Sequence, residues 1–293
     1  MSVPEELVYS SAHVELSVLP SIGARLHRLR VYGQDLLRTP ADPRTHAFDP
    51  FCWGGYVMAP WCNRVATGRL RVGNRVIDLP SNFSDGSAIH GQVYAAPWRQ
   101  TGEAGFSIYG GGDGWPWPYS SSLTIAIADD NEVRLDQTLT NLADEPMPAG
   151  VGFHPWFRDP VTVAIHAELV YGSNTDSPPI PGPVSGSLDL RELQTMAIGT
   201  DATWVPTSDP PVQLHWPTAG IRATLTAAAP AIHIVAANPG NGAIAVEPQT
   251  HAPQGLRRLL HHEPGGLQLL DPGQVLNLTT VLAFQLDPRP DRR

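Results

Sequence analysis

Proline and glycine set the first limit on this chain. Its 30 prolines and 27 glycines recur at short intervals along 293 residues, between apolar runs too short for an ordinary helix. Proline removes a backbone donor and glycine loosens the backbone, so this spacing favours many short strands joined by turns. The strand period is clearest near the C-terminus. After the turn Asp271-Pro272-Gly273, the residues Leu276, Leu278, Thr280, Leu282, Phe284 and Leu286 alternate with more polar neighbours. Leu123, Ile125 and Ile127 alternate in the same way, and Val133, Leu135 and Leu139 continue beyond Asp129-Asp130-Asn131. Residues 119–141 therefore read as a β-hairpin turning at the two aspartates.

The same grammar covers the rest of the chain. Val14 to Leu37 is apolar alternation broken by Pro20, Gly23 and Gly33, and Tyr56 to Asn82 reads as strand, turn, strand around Gly73-Asn74. Residues 173–190 are rich in Ser, Pro and Gly and read as a long surface loop. Leu190 to Ala197 is at best one short helix, and no solenoid or propeller repeat is present. Together these features predict an all-β protein, a large antiparallel β-sandwich forming a single domain over residues 1–293.

Charge and composition exclude several functions. The net charge is -9 and all 19 basic residues are arginine, so neither nucleic acid nor an anionic membrane is an expected partner. Without lysine there is no Schiff-base chemistry and no phosphate-loop lysine. Cys52 and Cys62 match neither a zinc nor a redox spacing and read as small core residues. No His, Cys or acidic spacing suggests a metal, and no cofactor motif is present, so none is expected. The N-terminal segment carries acidic residues where a signal peptide needs basic ones, and no run reaches membrane-spanning length. A soluble cytoplasmic protein is expected.

Chemistry concentrates at a few strand ends. In Met147-Pro148-Ala149-Gly150-Val151-Gly152-Phe153-His154-Pro155-Trp156-Phe157, the proline after His154 pushes it towards extended backbone and aims its imidazole. Such a histidine is either a catalytic group or a hydrogen-bonded member of an aromatic core. Glu247 closes the apolar run Ile244-Ala245-Val246-Glu247-Pro248. Ile244 and Val246 share one face, leaving Ala245 and Glu247 on the other, where a small residue beside a carboxylate suggests a concavity. Glu247 could pair structurally with an arginine or act as a general base. Asn63 and Arg64 end another apolar stretch, where Arg64 could clamp hydroxyls or brace a loop. Trp61, Trp117 and Trp156 flank these polar groups and could be core or face a ligand.

In order, Leu19-Pro20-Ser21-Ile22-Gly23-Ala24-Arg25-Leu26, Pro60-Trp61-Cys62-Asn63-Arg64, His90-Gly91, Pro116-Trp117-Pro118-Tyr119, Asn141 to Phe157, Val246 to Thr250 and Pro272-Gly273 resemble the aldose 1-epimerase (galactose mutarotase) family across nearly the whole chain. The resemblance implies a galactose mutarotase-like supersandwich and a monosaccharide substrate. It implies that His154 is the general acid to the ring oxygen and Glu247 the general base on the anomeric hydroxyl. It also implies that Asn63, Arg64, His90, Asp201 and Trp156 contact the sugar, with Asp209 a rival to Asp201.

Two residues depart from the family pattern. Gln92 stands where a second glycine is usual, which would alter the pocket rim. Trp156 replaces a common tyrosine, exchanging a phenol for an indole N–H. For the chemistry itself, a glutamate ordinarily ionised at neutral pH and a histidine held protonated by a nearby carboxylate would supply base and acid. A hexose-6-phosphate 1-epimerase, with Arg69, Arg71, Arg75 and Arg99 near the mouth, is one alternative. A non-catalytic sugar-binding protein on the same scaffold is another.

Overall fold

Apolar alternation becomes sheet because period-two patterning sends every second side chain to one face, and burying that face requires a second layer. The computed structural model of the protein describes residues 3–66, 68–173 and 178–288, with their strands in two large antiparallel sheets and three short two-stranded ones. The 11-stranded sheet runs in the order Leu7–Ser10, Val14–Leu19, Arg25–Val31, Gly55–Met58, Gly152–Arg158, Ala243–Gln249, His233–Ala237, Asp201–Pro206, Ala167–Val170, Gly182–Pro183, with Gln34–Asp35 paired beside Arg25–Val31. The 8-stranded sheet runs Arg99–Gln100, Gly105–Gly112, Trp115–Ala128, Glu132–Asn141, Val275–Leu286, Ile221–Ala228, Val212–Trp216, Thr162–Ile165.

Their inner faces share one hydrophobic core. Leu16, Val18, Phe153, Phe157, Ile244 and Val246 from the larger sheet are buried with Leu123, Leu135, Leu278, Leu282 and Phe284 from the smaller. Direct contacts stitch the layers together. Phe157 meets Trp216 edge-on with ring centroids 5.7 Å apart, and Gln137 donates from Nε2 to the Met58 carbonyl at 2.9 Å. The predicted hairpin is present, with Ala128 paired to Glu132 and Tyr119 to Asn141. Asp129 and Asp130 both have positive φ, 48° and 60°, a conformation aspartate tolerates better than most residues and one that suits the strand twist.

Two sequence expectations need correction, and one open alternative is resolved. Leu190 to Ala197 forms no helix: Gln194 exchanges backbone hydrogen bonds with Val163, so its donor and acceptor are spent on a neighbouring strand. Among the described residues the α-helices are instead Thr45–Phe48 and Gly255–His261. The second is explained by Leu256, Leu259 and Leu260, whose spacing puts them on one face against the core. The stretch expected to be loop contributes the edge strand Gly182–Pro183, while residues 174–177 lie outside the described residues. Trp61 and Trp117 are core, packed about Trp115 with centroids 5.0 and 5.4 Å from it. Among the described residues no helix is long and apolar enough to cross a membrane.

Because Phe157 is wholly buried where the layers meet, replacing it should open a cavity that its rigid neighbours cannot refill. Phe157→Ala is expected to lower stability by about 3–5 kcal/mol, read from the midpoint of urea unfolding at unchanged m-value.

Candidate active site

Strand alternation that fills the core also builds the site. Along Gly152–Arg158, Phe153 and Phe157 point inward, so His154 and Trp156 emerge on the opposite face of the larger sheet. Pairing of Gly152 with Gln249 and of Trp156 with Ala245 sets His154 opposite Glu247. On its other side His154 pairs with Tyr56, and Glu247 pairs with Val235. Four neighbouring strands thus present Tyr56, His154, Glu247 and Val235 as one row. One pleat further along, Trp156, Ala245, Ala237 and Asp201 form a second row.

Except for the buried Ala245, these rows line a cavity of ≈ 310 Å³, whose other lining residues include Phe51, Cys52, Asn63, Arg64, Phe83, His90, Asn238, Pro239 and Asn241. The concavity expected beside Ala245 and Glu247 is present. Every sequence-derived candidate lines it: His154, Glu247, Asn63, Arg64, His90, Asp201 and Trp156. Asp209 does not, so Asp201 alone of the two rivals faces the cavity.

At its centre His154 Nε2 lies 3.1 Å from Glu247 Oε1, and both side chains are almost completely buried. Glu247 Oε2 accepts a 2.8 Å hydrogen bond from Gln249 Nε2, which fixes the carboxylate plane. Burial and nearby Asp201 hold the Glu247 carboxyl well above its ordinary range. Burial above all, with the Arg25 charge adding to it, holds His154 well below the ordinary histidine value. The structure therefore departs from the expectation that the carboxylate would keep His154 protonated: desolvation outweighs attraction, and both shifts favour the neutral pair.

Aromatic rings fix the imidazole. Tyr56 stacks on it at 4.6 Å, Trp156 lies tilted at 5.0 Å, and His90 meets it edge-on at 5.0 Å. His90 is itself pushed down to about 3 by burial, with Arg64 adding to the effect, and so is a neutral group. Arg64 donates from Nε to Asp85 at 2.7 Å and turns Nη1 towards Asp201 at 3.6 Å, spanning the wall.

Both departures from the family pattern have local explanations. The Trp156 indole N–H donates to the Phe51 carbonyl, so it ties down the wall while its ring faces the cavity. Gln92 does not alter the rim: it donates to the Gly112 carbonyl and accepts from the Tyr119 hydroxyl, away from the lining. Arg69, Arg71, Arg75 and Arg99 do not line the cavity either, since Arg69 pairs with Asp78 and Arg75 with Glu145. Cys52, expected in the core, lines the cavity, whereas Cys62 is buried.

Sequence reading missed Tyr56, Gln249, Phe51, Asn238 and Asn241. Gln249 had a usable signal, because it sits two residues from Glu247 on the same strand. Tyr56 and the loop residues had none. Among the described residues no group of three His, Cys, Asp or Glu side chains is placed to hold a metal ion.

The fold is thus an antiparallel sandwich bearing a buried imidazole–carboxyl pair on the outer face of its larger sheet. The chain matches the aldose 1-epimerase family model over residues 9–283 and belongs to that family. Among its relatives, the uncharacterised protein YihR of Escherichia coli K12 is 25% identical over 194 residues, 62% of this chain and 62% of its own length. The fold is shared with the GalM/aldose epimerase homologue of C. elegans (TM-score 0.81, 18% identity, 97% of this chain and 100% of the other). It is shared equally with galactose 1-epimerase of Lactobacillus acidophilus NCFM (TM-score 0.77, 16% identity, 97% and 95%).

Backbone strain marks the wall. Asn63 and His90 both have positive φ, 53° and 63°, and Gly91 follows at 76° with its ideal Cβ position only 2.0 Å from the Ala59 oxygen. Gly91→Ala should therefore displace His90 and destabilise the protein by at least about 1–3 kcal/mol, seen as a lower thermal midpoint together with weakened sugar binding by calorimetry.

Proposed function

We propose that the protein is an aldose 1-epimerase that interconverts the α and β anomers of an unphosphorylated aldohexose. The carrying observation is the 3.1 Å contact between His154 and Glu247 in a cavity whose lining also offers Asn63, Arg64, His90, Asp201 and the Trp156 ring. Glu247 takes the proton from the anomeric hydroxyl while His154 protonates the ring oxygen, opening the hemiacetal to the free aldehyde. After rotation about C1–C2, the reverse transfers close the ring in the other sense.

Burial helps both transfers. An ionised carboxylate kept from water is a stronger base, and an imidazolium kept from water is a stronger acid. The pair starts as carboxylate and imidazolium and ends, with the ring open, as the neutral acid and neutral imidazole that the buried site favours. Ring closure by the reverse transfers returns the pair to carboxylate and imidazolium, and in the empty site a single proton hop across their direct contact links that working form to the favoured neutral pair. Arg64, Asp201, Asn63 and His90 supply donors and acceptors for sugar hydroxyls, and the Trp156 ring offers a flat face to the sugar's C–H groups.

A phosphorylated substrate fits less well. Arg64 is the cationic side chain of the lining and already faces Asp85 and Asp201, which leaves the lining without a second cation for a phosphate. Freshly dissolved α-D-glucose and α-D-galactose, followed by polarimetry, test the proposal directly. Glu247→Gln should reduce turnover at least about 10²-fold while leaving sugar binding measurable by calorimetry; retained turnover would overturn the assignment of the base. If neither sugar is accelerated by wild type yet binds, the protein is a sugar-binding member of the family.

The pH dependence follows from the two shifts. Activity needs one proton shared by the pair, and is lost at low pH when both groups are protonated and at high pH when neither is. With His154 lowered and Glu247 raised, kcat/KM should give a broad bell whose acid limb lies below the ordinary histidine value of 6.5. A flat profile across both limbs would contradict the paired acid and base.

A further inference from the structure

Behind Tyr56, on the side away from His154, lies a buried charge that the reaction does not use. Arg25 is wholly buried at the start of the strand Arg25–Val31, and its guanidinium sits over the Tyr56 ring, 4.7 Å from the centroid. Its hydrogen bonds all go to neutral acceptors. Nη2 donates to the Pro50 and Tyr94 carbonyls at 2.7 and 3.2 Å, and Nη1 to the Trp53 carbonyl and to His46 Nδ1 at 3.3 and 3.0 Å. Since arginine can only donate, His46 Nδ1 must accept, so His46 Nε2 carries a proton and donates to His27 Nδ1 at 2.9 Å. Both histidines are thereby held as neutral tautomers. Burial, reinforced by Arg25, pushes His46 down to about 2.

Burying an arginine without a carboxylate against it is costly, and here the cost goes into two features of the site. Pro50 and Trp53 flank Phe51 and Cys52, which wall the cavity, and the Phe51 carbonyl receives the Trp156 indole. Tyr56, with Arg25 on one face, has His154 stacked on the other at 4.6 Å. Guanidinium, phenol and imidazole form a single column ending at the acid.

We propose that Arg25 is a positioning residue for the acid–base pair, acting on His154 through the Tyr56 ring and on the cavity wall through the turn from Pro50 to Trp53. The proposal rests on the reading of His154 and Glu247 as acid and base. In the folded protein His154 is faced by Glu247 from one neighbouring strand, Tyr56 from the other, His90 from the wall and Trp156 from its own strand, with Arg64 and Asp201 beyond Glu247. Of the cations, Arg25 is the one placed behind the stacking ring. Its charge makes imidazolium less stable and hence a stronger acid.

The test compares Arg25→Met, which removes charge and hydrogen bonds, with Arg25→Lys, which keeps the charge but loses the fork. Two readouts are taken on each folded protein: the imidazole titration of His154 by NMR and the pH profile of kcat/KM. In Arg25→Met, His154 should begin to protonate at higher pH, and the acid limb should rise by about half a pH unit or more. In Arg25→Lys the limb should stay near that of wild type while kcat/KM falls roughly tenfold, because the wall is no longer pinned. An unchanged titration and unchanged kcat/KM in Arg25→Met would overturn the proposal. Should Arg25→Met not fold, a double-mutant cycle of Arg25→Lys with Tyr56→Leu decides instead: non-additive losses in kcat/KM support action through the ring, and additive losses refute it. The NMR titration needs no turnover, so a failure of the epimerase reading, seen as full activity in Glu247→Gln, is told apart from a failure of this one.

Discussion

Much of this structure depends on keeping a carboxylate and an imidazole in contact where water hardly reaches. Hydration of a charge is worth several kcal/mol, so groups shut away from water shift towards their neutral forms, as both do here. The protein withholds water with aromatic rings. Tyr56, Trp156 and His90 enclose the imidazole, Gln249 fixes the carboxylate, and hydrophobic packing beneath the sheet keeps the row level. That packing is the sandwich core itself. Phe153 and Phe157 anchor the inner side of the strand whose outer side carries His154 and Trp156, so stability and site geometry are opposite faces of one peptide segment.

Local periodicity made much of this readable. The terminal strand, the hairpin turning at Asp129 and Asp130, and the split of Ile244 and Val246 from Ala245 and Glu247 all follow from period two, because an alternating segment has only one way to bury its apolar face. Of the seven proposed site residues, His154, Glu247, Asn63, Arg64 and Trp156 were read from motifs at strand ends and His90 and Asp201 from the family resemblance, and the fold gathers them into one cavity. The misses arise where tertiary structure outweighs local preference. Leu190 to Ala197 gave up its helix to a backbone exchange with Val163, and helix Gly255–His261 is too short to show more than two turns of pattern. No local signal could say that Phe51 and Asn238 would line the same cavity, since that depends on how distant loops meet.

Electrostatics were the least readable. From sequence, a histidine near a glutamate suggests mutual stabilisation of charge, and that is correct for exposed pairs. Burial of both reverses the balance. The direction of the two shifts could be assigned only once the enclosing rings and the cation behind Tyr56 were seen.

The row Tyr56, His154, Glu247 joins side chains that touch in space yet are separated by roughly a hundred residues at each step, a long-range topology that pays its loop-closure entropy before contacts reward it. The pairings of Gly152–Arg158 with Gly55–Met58 and with Ala243–Gln249 therefore cannot be assembled from neighbours in sequence, and the site does not exist on a chain that lacks them. Such a chain would pass through stages with open strand edges and no chemistry. For the cell, functional molecules and molecules safe from aggregation are then nearly the same population, because both depend on completing the same central pairings.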